Sequence, residues 1–142
     1  MDISDAFDEI SNWEEQLLIE GEELGMERGR ELGIEEGREL GMMKGAEIGS
    51  EVGFYQGCFV VWNQMLQNED MRQKINERAS KSIVSFGALL EAFELKNIVN
   101  DDLLHKLQHI RAKFKVITAL LGLRSSLVYN QEDVDAHKNM SF

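Results

Sequence analysis

Apolar residues recur at helical spacing in three stretches of this chain, and the residues between them differ in kind from one stretch to the next. Phe7, Ile10, Trp13 and Leu17 fall three or four positions apart, which predicts an N-terminal helix over 1–20. Residues 58–122 predict a small helical bundle. There Cys58-Phe59-Val60-Val61-Trp62, with Met65 and Leu66, carries a helix into a core. Met71, Ile75, Ala79, Ile83, Phe86, Leu90 and Phe93 mark one helical face over 70–95. Leu103, Leu107, Ile110, Phe114, Ile117 and Leu121 mark another, with Asn100 or Asp101 placed to cap its start and Gly122 to end it. The stretch 123–142 is polar and without period from Ser125 onward, which predicts a flexible tail.

The middle stretch, 21–57, is organised by glycine. Gly21, Gly25, Gly29, Gly33, Gly37, Gly41, Gly45, Gly49, Gly53 and Gly57 occupy every fourth position and account for ten of the 12 glycines in the chain. A coarser eight-residue unit runs through them, from Glu23-Leu24-Gly25-Met26 through Glu31-Leu32-Gly33-Ile34 and Glu39-Leu40-Gly41-Met42 to Glu47-Ile48-Gly49-Ser50. A flexible linker lacks apolar residues at fixed offsets, and collagen needs period three with proline, of which this chain has none. The Glu, Leu, Met, Arg and Ile between the glycines are good helix formers, so the predicted conformation is helix.

Glycine opposes that conformation by about 0.8 to 1 kcal/mol at each interior position, or roughly 8 to 10 kcal/mol for ten. Close approach of another backbone, which small residues at i and i+4 permit, is the source that can offset such a cost. The ten glycines are therefore candidate partner-binding residues. Each four-residue step advances about 400° around a helix, so the stripe drifts by about 40° per step. A partner either winds around it in the right-handed sense, or the segment breaks into shorter helices.

Charge sharpens the picture. Residues 1–57 hold 16 acids and 4 bases, whereas 58–142 hold 10 acids and 11 bases, so the overall charge of -11 belongs to the first part. Such acidity opposes direct binding to nucleic acid, whose affinity comes from Lys and Arg on phosphates. Along the glycine helix Glu23, Glu27, Glu31, Glu35 and Glu39 repel one another, relieved by neighbours such as Glu27 with Arg30 and Glu35 with Arg38. No apolar run is long enough to predict a membrane span, and the acidic start, Asp2 to Asp5, is unlike a targeting peptide. With one cysteine, Cys58, no internal disulfide is possible, and an intracellular, soluble protein is expected.

Catalytic chemistry has no recognisable carrier. His105 and His109 share a helical face at i, i+4, but no HExxH glutamate or neighbouring cysteine completes a metal site, so they read as surface histidines. One cysteine cannot hold an iron-sulfur cluster, and no glycine lies in a phosphate-loop context. No cofactor and no enzymatic activity are expected.

Ten glycines at every fourth position, closing in Gly45-Ala46-Glu47-Ile48-Gly49-Ser50-Glu51-Val52-Gly53-Phe54-Tyr55-Gln56-Gly57, resemble the deca-Gly-x-x-x adaptor family. Leu104-His105-Lys106 and Ile110-Arg111-Ala112-Lys113-Phe114-Lys115 are similar to its oral cancer-overexpressed branch, whose members pair with a Yae-type protein. The resemblance implies a non-catalytic adaptor, present in cytoplasm and nucleus and linked to ribosome biogenesis and translation. Paired with the Yae-type partner, it would bring an apo iron-sulfur ABC-type ATPase, the ribosome-recycling factor, to the cytosolic iron-sulfur assembly targeting complex. Met140, Ser141 and Phe142 resemble the terminal tripeptide that engages that complex. Another reading, from the glycines alone, is a self-associating helical scaffold. The expected fold is all-α: a long glycine-striped helical segment, a small helical bundle and a disordered C-terminal tail.

Overall fold

Strong helix formers fill the positions between the glycines and no proline interrupts them, so the backbone from Ile3 to Gln67 forms one continuous helix, α1. The computed structural model describes residues 2–94 and 102–130. Of the two outcomes open for the glycine segment, it adopts the unbroken one. Three further helices follow, α2 (Glu69–Arg72), α3 (Glu77–Ala92) and α4 (Asp102–Leu120). The molecule is all-α among the described residues.

The stretch expected as one helix over 70–95 is divided before Asn76, and an asparagine opens each of the two helices. The Asn68 side chain accepts from the Asp70 and Met71 amides at 3.1 and 3.4 Å, opening the single turn of α2. Asn76 accepts from the Arg78 amide at 2.9 Å and starts α3. Met71 consequently falls outside the core and is exposed, while Ala79, Ile83, Phe86, Leu90 and Phe93 are buried as their spacing requires. Gly122 ends α4 as expected. It takes φ +72°, and the Leu123 amide donates to the Thr118 carbonyl while its own amide donates to Ala119, the paired bonds of a left-handed C-terminal cap. The candidate caps Asn100 and Asp101 lie outside the described residues.

By contacts the chain divides into two units, Met1–Lys44 and Gly45–Phe142. In the first, every described residue but Ala6 is exposed, including Ile3 (75%), Phe7, Ile10, Trp13 (73%), Leu17 and Leu24. Arg28 and Glu31 form an exposed i, i+3 pair at 3.6 Å. The anticipated pairs Glu27–Arg30 and Glu35–Arg38 do not form among the described residues, since exposed ion pairs gain too little to hold two long side chains in register.

The second unit holds the core. Val52, Tyr55 and Trp62 of α1 pack with Ile83, Phe86 and Leu90 of α3 and with Leu107, Ile110, Phe114 and Ile117 of α4. Phe114 is the aromatic hub, with ring centroids 4.7 Å from Tyr55, 5.6 Å from Trp62, 5.7 Å from Phe54 and 6.1 Å from Phe86. Such ring pairs contribute about 0.5 to 1.5 kcal/mol each beyond the area they bury. At Gly87 of α3 a side chain would overlap the Phe59 ring of α1, so the two helices meet at a glycine outside the four-residue series. Residues 123–130 also depart from expectation. They form a turn, and Leu127 and Tyr129 pack on the core instead of belonging to a flexible tail.

Candidate interaction surfaces

The glycine stripe is open. At Gly21, Gly25, Gly29, Gly33, Gly37, Gly41 and Gly45 a Cβ atom would meet nothing within 4 Å outside the local helix backbone, and the same holds at Gly53 and Gly57. Gly49 is half-buried. Nothing among the described residues therefore demands glycine at those nine positions, and alanine would favour the helix at each. Around them in the first unit stand the exposed Leu24, Met26, Leu32, Ile34, Leu40, Met42 and Met43. The combination is a strip of bare backbone with flanking large side chains that winds around the unbroken α1, a surface that a helix winding with it can approach closely.

In the second unit the end of the stripe becomes the floor of an apolar groove. Gly53 and Gly57 lie there with Phe54, Val61, Met65 and Leu127 around a volume of about 530 Å³. Cys58 borders the same groove, half-buried, and burial pushes its thiol pKa up, which disfavours a reactive thiolate.

One glutamate on this helix escapes the exposed acidic face. Glu51 is 8% exposed, and its carboxylate accepts from Arg111 of α4 through Nε at 2.6 Å and Nη2 at 2.8 Å, and from the Tyr55 hydroxyl at 2.8 Å. The Arg111 guanidinium holds the Glu51 carboxyl below its usual range against the opposing effect of burial. Tyr55 is pushed far up, first by burial and then by the adjacent carboxylate, and Arg111 is raised by its bond to Glu51. No periodic signal distinguishes Glu51 from the acids at its four-residue spacing, and no local spacing links it to Arg111, sixty positions away.

His105 and His109 are both exposed on α4. Among the described residues no group of three or more His, Cys, Asp or Glu is placed to hold a metal ion. None of the described helices is long and apolar enough to cross a membrane. The terminal tripeptide Met140, Ser141 and Phe142 lies outside the described residues.

The glycine stretch matches a known family model. Residues 23–59, which take in nine of the ten glycines of the series, match the model described as essential protein Yae1, N terminal. The chain is also similar to a protein LTO1 homolog from Dictyostelium discoideum, at 32% identity over 85 residues, covering 53% of this chain and 60% of that protein. It thus spans about 60% of the length of the curated relative it matches. No solved structure matches the chain.

Proposed function

We propose that this chain is a non-catalytic adaptor whose glycine stripe pairs with a Yae-type deca-Gly-x-x-x protein. The observation that carries the reading is the open stripe itself. Nine glycines lower helix propensity where no group among the described residues occupies the space they leave, and eight of the nine lie in the stretch that resembles a Yae1 N-terminal segment. A partner backbone seated in that space offsets the cost.

Charge favours a different partner over a second copy. Residues 1–44 hold 14 acids against 4 bases, so two such helices side by side repel, while a partner with basic residues flanking its own stripe is attracted.

The similarity to the LTO1 homolog supports the wider role: the pair presents an apo iron-sulfur ABC-type ATPase to the cytosolic iron-sulfur assembly targeting complex, in cytoplasm and nucleus. In this reading Met140, Ser141 and Phe142 engage the targeting complex, the aromatic ring filling an apolar pocket while its α-carboxylate meets donors. Affinity purification of the tagged chain with and without those three residues tests it. The intact chain is expected to retain both partner and targeting complex, and the truncated chain the partner alone. Recovery of the targeting complex by both forms would refute the role of the terminus.

A further inference from the structure

Beyond the glycine surface, the second unit contains a cavity of about 300 Å³ formed by α1, α4 and the turn after α4. Phe114, Leu127, Val128 and Tyr129 give it an apolar lining, and Glu51, Arg111, Lys115 and Arg124 its charges. Glu51 is fully engaged: Arg111 takes both carboxylate oxygens and Tyr55 donates to one of them. The Thr118 hydroxyl is likewise occupied, donating to the Lys115 carbonyl at 3.0 Å. The ammonium of Lys115 and the guanidinium of Arg124 have no ion-pair partner among the described residues, and Arg111 keeps Nη1 out of its pair with Glu51. With Glu51 and Arg111 cancelling, the cavity has a surplus of two positive charges in a chain whose overall charge is -11.

We propose that this cavity docks an acidic peptide segment of a partner protein. An aliphatic side chain of the segment lies on Phe114 and Leu127, and flanking carboxylates meet Lys115 and Arg124. The apolar lining selects against a bare anion, which would leave those walls without a counterpart. The volume, at the lower end for ligand pockets, suits one or two side chains. The site shares none of its lining residues with the glycine series, so a partner on the stripe and a peptide in the cavity can be bound through different residues.

The test uses the full nitrogen-15-labelled chain and a capped peptide probe, acetyl-Gly-Asp-Leu-Asp-Gly-amide, followed by amide chemical shifts. Saturable shifts are expected at Lys115, Arg124 and Leu127. The counterpart with Asn in place of both Asp should bind at least several-fold more weakly. K115Q combined with R124Q, two exposed positions whose replacement leaves the core intact, should weaken the acidic peptide by about tenfold, as expected for two partly screened ion pairs. Leu127→Ala should weaken it with the charges unchanged. Equal binding of the neutral peptide, undiminished affinity in the double variant, or inorganic phosphate saturating the same amides as tightly as the peptide would each overturn the proposal.

Discussion

Glu51 and Arg111 are sixty positions apart in the chain and form a two-pronged ion pair, Nε to Oε1 at 2.6 Å and Nη2 to Oε2 at 2.8 Å, that ties α1 to α4. The glutamate side chain is 10% exposed and the arginine 46%, so the two ends of the pair carry different risks. Losing the arginine strands an almost buried carboxylate, whereas losing the glutamate leaves a cation that water can still reach.

Arg111→Met is therefore expected to destabilise the chain by about 2 kcal/mol, less than for a fully buried pair because Arg111 is half in solvent. The double variant Glu51→Met with Arg111→Met should recover part of that loss. Urea unfolding in a Trp13→Phe background, where the buried Trp62 is the remaining tryptophan reporter, measures both. Equal stability of Arg111→Met and the parent would contradict the structural role of the pair.

The same pair sets an acid dependence. Because Glu51 titrates below its ordinary range in the folded chain, its contribution is present above the unfolded carboxylate pKa and is lost as pH falls through the lower folded value. The parent is expected to lose more stability than Glu51→Gln between about pH 5 and pH 3. Unfolding midpoints measured across that window should converge at the acidic end, and parallel curves would contradict the assignment.

Two glycine-to-alanine changes should act in opposite directions. Gly87→Ala pushes a methyl group into the Phe59 ring and is expected to cost about 1 to 3 kcal/mol. Gly37→Ala meets nothing and is expected to add helicity, by up to about 1 kcal/mol of propensity. Circular dichroism with thermal unfolding distinguishes them, and the ranking is wrong if Gly87→Ala is the more stable variant.

What could be read from local pattern and what could not follows from the range of each interaction. The faces of α3 and α4 were readable because Ile83, Phe86 and Leu90, and Leu107, Ile110 and Phe114, repeat within a few residues, and Gly122 acts on its own helix end. Asn76 leaves no mark in the apolar period, although its side chain decides where α3 begins. Gly87 and the Glu51–Arg111 pair depend on contacts between separate helices, which periodicity within one segment does not encode. Leu127 and Tyr129 sit among polar residues, and only the core they cover marks them as folded.

The purified chain is expected to carry no stoichiometric metal. His105 and His109 are exposed, and no third ligand is grouped with them among the described residues. Elemental analysis finding about one tightly held metal per chain, lost when both histidines are changed to Ala, would reverse that expectation.

If α1 pairs with its partner through bare backbone, replacing Gly33, Gly37 and Gly41 together by Leu should separate folding from assembly. None of the three positions meets another part of the chain among the described residues, so the variant should fold and be at least as helical as the parent. Binding to the proposed Yae-type partner, measured by sedimentation of the mixed proteins, should nevertheless be abolished, because the added side chains hold the two backbones apart. A Leu variant that assembles with the partner as tightly as the parent would contradict the claim.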